Sequence, residues 1–229
     1  MANGLFISLE GPEGGGKSTQ AGLLGEHLSQ GNYEVILTQE PGGTSLGKSL
    51  REILLTPDRG EDLSAWCELF LYLADRSHHV EEIIKPALEM GKIVICDRFI
   101  DATLAYQGYG WGLDLGLIEE LNLLATQGIR PDLTILLDIE SSIGLQKAIE
   151  EKSKLGLKGG DRLEQKGLDF HCRVREGYLK IASNDPSRVK VVQVDGPIEE
   201  IQARIRVYVD KLLKDKDLIL KEARWNNAS

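Results

Sequence analysis

Gly11-Pro12-Glu13-Gly14-Gly15-Gly16-Lys17-Ser18-Thr19 is the stretch that decides how this chain folds. It fits G-x-x-x-x-G-K-[ST], a loop that cradles phosphate. Its glycines let the backbone curl until several N–H groups point at one anion. The apolar run Leu5-Phe6-Ile7-Ser8-Leu9 before it predicts a short buried strand, and Thr19 to Ser29 after it predicts a helix. The N-terminus of that helix adds positive potential at the same point. Lys17 can reach the β- and γ-phosphates of a nucleoside triphosphate, and the Ser18 hydroxyl suits Mg²⁺. A Gly-rich turn could match by chance, but the strand before it and the helix after it argue against that.

Working outward, short β-branched runs recur at Glu34–Thr38, Lys92–Asp97, Leu133–Asp138 and Val189–Val194. Helical patterns separate them. Trp66, Leu69, Phe70 and Leu73 fall on one stripe, as do Leu117, Leu121, Leu124 and Ala125. The pattern predicts an α/β P-loop NTPase fold: a five-stranded parallel sheet with helices on both faces. Right-handed crossovers then put ligands at the carboxyl ends of the strands. The phosphate loop, Glu40, Asp97 and Asp138 all fall at those ends.

Residues 1–213 read as a single P-loop domain, and 214–229 as a C-terminal extension that could form an extra helix with a frayed end. Residues 150–162 are charged and glycine-containing. They read equally as a mobile lid near phosphates or as a solvated connection between helices. The formal net charge of the 229 residues is −9, and no basic face for nucleic acid is legible. Cys67, Cys96 and Cys172 are odd in number and far apart, which suggests neither a disulfide framework nor a metal site. With no signal-peptide pattern and no apolar run of membrane-spanning length, the expected setting is the reducing cytoplasm.

Other constellations are weaker alone. Glu40-Pro-Gly-Gly-Thr44 is an ordinary turn composition. Arg51 could face solvent or an anion. Asp97, ending a buried strand, could hold Mg²⁺, and Arg98 beside it suits a second phosphate. Tyr72 and Arg76 share a helix face, where a ring and a guanidinium could hold a base and a phosphate. A core aromatic with a solvated arginine is the ordinary alternative. Ala105-Tyr-Gln-Gly-Tyr-Gly-Trp-Gly112 could read a base edge or simply mark an irregular loop.

Taken together, these residues resemble the thymidylate kinase family over about residues 6–178. The resemblance is carried, in order, by the phosphate loop, Glu-Pro-Gly-Gly-Thr (40–44), Tyr72 with Arg76 and Asp-Arg-Phe (97–99). It continues through Thr103, Ala-Tyr-Gln (105–107), Pro-Asp (131–132), Asp-Arg-Leu-Glu (161–164) and Arg-Val-Arg-x-Gly-Tyr (173–178). It implies transfer of the ATP γ-phosphate to dTMP, with Mg²⁺ and in a homodimer. It also implies roles. Glu13 is the loop carboxylate that meets the dTMP 3′-hydroxyl, and Arg98 touches the dTMP phosphate near the γ-phosphate. Tyr72 stacks on thymine where phenylalanine is more usual, and Arg76, Thr103 and Gln107 lie at the base. Tyr106 crowds the sugar 2′ position, and Arg51 is a further phosphate contact.

Two departures stand out. The phosphate loop lacks arginine, as in the bacterial type, yet the lid offers Lys152, Lys154 and Lys158 with Arg162 as its sole arginine. Arg162 is a candidate catalytic residue, and which of Lys152, Lys154, Lys158 and Arg162 reaches the transferring phosphoryl stays open. Ala102 stands where serine is common, so one polar contact is expected to be missing. Rival readings are a kinase for another nucleoside monophosphate or a deoxynucleoside, and a nucleotide-dependent switch. The chain has no Asn-Lys-x-Asp guanine-reading motif.

Overall fold

A computed structural model describes residues 4–57, 62–154 and 160–227, without the side chains of 217–227. The chain runs β1 (Leu5–Glu10), α1 (Lys17–Gln30), β2 (Val35–Gln39), α2 (Ser45–Leu55) and α3 (Ala65–His79). A π-helical turn (Val80–Ile84) leads to α4 (Lys85–Glu89), β3 (Ile93–Asp97), α5 (Ile100–Thr103) and a second π-helical segment (Leu104–Gly110). Then follow α6 (Leu115–Ala125), β4 (Leu133–Asp138), α7 (Ser141–Lys154), α8 (Leu168–Asn184), β5 (Val189–Gln193) and α9 (Ile198–Asn227). The strands form one parallel sheet in the order β2-β3-β1-β4-β5.

β1 is buried along its whole length because it is the central strand of a sheet covered on both faces. Leu5, Ile7 and Leu9 pack with Leu24 and Leu28 of α1 and with Ile201 and Ile205 of α9. Phe6 points the other way, into a cluster with Val94, Cys96, Val80 and Phe99. The alternation follows from the two-residue repeat of a strand. Chain reversal on either side of β1 puts the topological switch point at its carboxyl end, directly under the phosphate loop.

Several local expectations are revised. Helix α1 begins at Lys17 rather than Thr19, with Gly16 as its left-handed N-cap (φ 77°). The stripe on α3 is split: Leu69 and Leu73 are buried, while Trp66 and Phe70 are 42% and 55% exposed. The same holds on α6, where Ile118 is the fully buried residue and Leu124 is 74% exposed. A helical stripe finds one apolar side but not its centre, and α3 turns its other inward face to polar residues. Residues 104–110 are π-helical rather than an irregular loop. The C-terminal extension begins as a continuation of α9, not as a separate helix. Within the expected lid, 150–154 finish α7, and 155–159, with Lys158, lie outside the described residues.

Candidate active site

The site is built at the carboxyl ends of β1, β2 and β3. Gly11 (φ 137°) passes close over β4, where an added Cβ would lie 2.3 Å from the Leu137 carbonyl oxygen. Lys17 folds back under the loop and donates to the carbonyls of Gly11 (3.1 Å) and Pro12 (2.7 Å). Burial, reinforced by Arg98, lowers its ammonium to about 8 against the pull of Glu13 and Asp97. Ser18 Oγ donates to Asp97 Oδ2 at 2.5 Å, so the two expected metal ligands meet at the end of β3.

Arg98, the next residue, has a left-handed backbone (φ 69°). Such strain in a non-glycine residue costs on the order of 1–3 kcal/mol and persists only when its surroundings hold it. Here the Arg98 N–H donates to the Leu9 carbonyl (2.9 Å), and the following Phe99 N–H donates to Glu10 Oε1 (2.7 Å). The side chain is thereby aimed across the phosphate loop. It donates to Glu13 (2.9 Å), the Gly11 carbonyl (3.0 Å), and the hydroxyls of Tyr178 (3.1 Å) and Tyr106 (3.2 Å). Tyr106 itself donates to Glu13 at 2.7 Å. Burial would raise the Glu13 carboxyl, but Arg98, Lys17 and the Tyr106 hydroxyl reverse this and hold it at about 2. An ionised Glu13 therefore pins a charged Arg98 in place before any ligand arrives.

A cleft opens from the loop. Glu13, Gly14, Gly16, Lys17, Ser18 and Thr19 line it, while Gly11, Pro12 and Gly15 of the same loop do not. Glu40, Arg51, Tyr72, Arg76, Asp97, Arg98, Thr103, Tyr106 and Gln107 line the rest, together with Ala102 and Lys152. Arg51 is anchored by donating to the Pro41 carbonyl at 2.7 Å. Arg76 is not solvated: it is 1% exposed. Its guanidinium donates to Glu40 (2.8 Å), Thr103 (2.8 Å), Asn122 (2.6 Å) and the Phe99 carbonyl (2.8 Å). Glu40 is held on its other oxygen by His79 (2.9 Å).

Arg162 is the expected site residue that the fold does not bring to the cleft. It donates to Glu68 at 2.5 Å and to the Leu54 carbonyl at 2.7 Å, and is buried there. Lys152 lines the cleft instead, ion-paired to Asp161 and, at 2.7 Å, to Glu164.

Sequence reasoning missed two buried groups, and gave no role to Tyr178 although it ends the 173–178 motif. Glu10 ends β1 and bonds the Phe99 N–H and the Tyr178 hydroxyl (2.9 Å). Burial, then the nearby Asp101, raises its carboxyl to about 7. Glu68 joins Gln107, Trp111 and Arg162. Tyr178 orients Arg98. A carboxylate ending an apolar strand, and another one helical turn before Tyr72, were the available signals.

A phosphate loop at the switch point of a parallel sheet, facing a second arginine-bearing pocket, defines a P-loop nucleotide kinase. Comparison with known proteins narrows the class. The thymidylate kinase family model matches residues 9–205. A thymidylate kinase of Synechococcus sp. (strain JA-2-3B'a(2-13)) is 48% identical over 209 residues, covering 91% of this chain and 96% of that protein. One from Maridesulfovibrio salexigens is 49% identical over 213 residues, covering 92% and 97%. The crystal structure of thymidylate kinase from Ehrlichia chaffeensis superposes with a TM-score of 0.72 at 36% identity, over 90% of this chain and 98% of that one. The chain belongs to the thymidylate kinase family.

Proposed function

We infer that this enzyme transfers the γ-phosphoryl group of ATP to dTMP, giving ADP and dTDP. The observation that carries the reading is the convergence of Lys17, Glu13 and Arg98 at one end of a cleft whose other wall holds Tyr72 and Gln107. One end suits phosphates, and the other suits a flat base with hydrogen-bonding edges.

The acceptor is a phosphate oxygen, ionised at neutral pH, so no strong general base is needed. Positioning and charge neutralisation are the protein's contribution. Lys17 and the loop N–H groups hold the donor phosphates. Arg98 lies between donor and acceptor, preorganised by Glu13 and two tyrosine hydroxyls, and a well-placed arginine is worth about 10³–10⁵-fold in such reactions. Arg51 completes the acceptor phosphate site, and Arg76 with Thr103 backs the base. Tyr106 stands against the sugar. Lys152, already at the cleft, is the lid cation favoured by position over Arg162. A closed site around Lys152 would exclude water and limit wasteful hydrolysis.

The Ser18 hydroxyl and the Asp97 carboxylate are hard oxygen donors that meet at the loop, which fits Mg²⁺. Among the described residues no group of three or more His, Cys, Asp or Glu converges as a metal cage, so phosphate and water oxygens would complete the shell. Bound Mg²⁺ would supply charge neutralisation at the phosphates.

No described helix is long and apolar enough to cross a membrane. The three cysteines are unpaired, which suits a cytoplasmic setting. Exposed Trp66 and Phe70, with rings 6.1 Å apart on α3, support a homodimer through that face. A monomer in sedimentation at micromolar concentration would remove that part of the reading.

The test is a coupled assay with ATP and Mg²⁺ over an acceptor panel of dTMP, dUMP, dCMP, dGMP and thymidine. Turnover is expected to be highest with dTMP and to depend on acceptor. Replacement of Lys17 by alanine should leave a folded protein with activity lowered at least ~10³-fold. ATP turnover equal with and without an acceptor would overturn the assignment.

A further inference from the structure

Glu68 lies on α3, fully buried, and reaches no phosphate-handling residue. Its Oε1 accepts from Gln107 Nε2 (2.6 Å) and from Trp111 Nε1 (2.9 Å), and its Oε2 accepts from Arg162 Nη2 (2.5 Å). Tryptophan and arginine side chains can only donate. Both carboxylate oxygens therefore act as acceptors, and the group of Gln107 that faces Glu68 must be its NH₂. The Gln107 amide is planar, so its carbonyl oxygen points away from Glu68. Gln107 lines the cleft, and among the described residues no hydrogen bond reaches its Oε1. Tyr72 lies four residues after Glu68, on the same face of α3, and lines the same cleft. One cleft thus offers both a ring and a fixed acceptor.

We propose that Glu68 is the positioning residue that sets which bases this enzyme accepts. By taking one N–H of Gln107, it fixes the orientation of the amide and turns the carbonyl, rather than the bonded N–H, toward a base lying against Tyr72. A base with a ring N–H at position 3, as in thymine and uracil, satisfies that carbonyl. Cytosine presents a lone pair there, setting acceptor against acceptor. A site built to hydrogen-bond one group rejects the analogue lacking it far more strongly than a merely apolar pocket would. Arg162 has a role in the same device: it neutralises the buried carboxylate. This rests on the cleft's Tyr72 end being the base pocket.

The test is the ratio of kcat/KM for dTMP to that for dCMP in the unaltered enzyme and in Glu68→Gln. A glutamine at 68 can donate as well as accept, so the Gln107 amide is no longer forced. The ratio should be large in the unaltered enzyme and fall at least ~10-fold in the variant. The KM for dTMP should rise, and the KM for ATP should stay within about twofold. A purely structural role for Glu68 would lower both substrates alike and leave the ratio untouched, and that result overturns the proposal. A small ratio in the unaltered enzyme would instead refute the base-pocket reading. Should Glu68→Gln not fold, ¹⁵N-edited hydrogen exchange of the Gln107 side chain in the unaltered protein decides the matter. Slow exchange of one N–H proton, unchanged by dTMP, is expected, and fast exchange overturns the proposal.

Discussion

At the scale of single residues, charge placement governs the site. Arg76 and Glu40 form a buried pair at 2.8 Å, their side chains 1% and 2% exposed. Removing one member of a buried pair costs up to about 3–5 kcal/mol, and without Arg76 the Glu40 carboxylate would keep only His79. Arg76→Ala is therefore expected to lose stability by that order in denaturant unfolding, and to weaken dTMP far more than ATP in steady-state kinetics. Wild-type stability, or a rise in the KM for ATP alone, would show that the pair is misplaced. Lys17 makes a second prediction. With its ammonium lowered from 10.5 to about 8, it is charged at pH 7 and neutral well above 8. The charged form is the one that binds phosphate, so ATP affinity should weaken as pH rises through about 8. Titration calorimetry across that range would register the decline, and a Lys17→Met variant should not show it. The phosphate-loop residues were legible in sequence because their geometry is local and contiguous. The state of Arg76 was not, because its four partners come from the β2 end, the segment after β3, α5 and α6.

At the scale of elements, α7 packs directly on the phosphate loop. Gly144 sits where a Cβ would lie 2.3 Å from the Glu13 carbonyl oxygen and 2.9 Å from Ile139 Cγ2. From the other side, a Cβ on Gly14 would lie 2.0 Å from the Gly144 carbonyl oxygen. The helix and the phosphate loop thus touch backbone to backbone, and neither can move aside cheaply. Gly144→Ala should destabilise by about 1–3 kcal/mol, as overpacking does, and raise the KM for ATP by displacing Glu13. A thermal melt and a KM measurement on that variant suffice, and unchanged values for both would refute the contact. Nothing in the sequence marks Gly144, since a mid-helix glycine usually signals only a weak helix position. The central strands β1, β3 and β4 were legible to within one residue because a buried parallel strand is a nearly continuous apolar run. The exposed side of α3 was not, because Trp66 and Phe70 share the helical spacing of Leu69 and Leu73.

At the scale of the whole molecule, strand order 2-3-1-4-5 opens a crevice at the carboxyl end of β1, which Lys17, Arg51, Arg98 and Lys152 line and Arg162 does not. That exception marks the limit of reading a lid from composition: which cation faces inward depends on a buried carboxylate on α3. The central claim is that a single cleft holds two nucleotides with their phosphates facing, and that Arg98 and Lys17 offset the repulsion between them. It is tested most directly with adenosine and thymidine joined 5′ to 5′ through a polyphosphate bridge, used as an inhibitor of the ATP–dTMP reaction. The account predicts inhibition competitive with both ATP and dTMP, with an affinity above that of either nucleotide alone. Competition with only one of the two, or affinity no better than that of a single nucleotide, would contradict it.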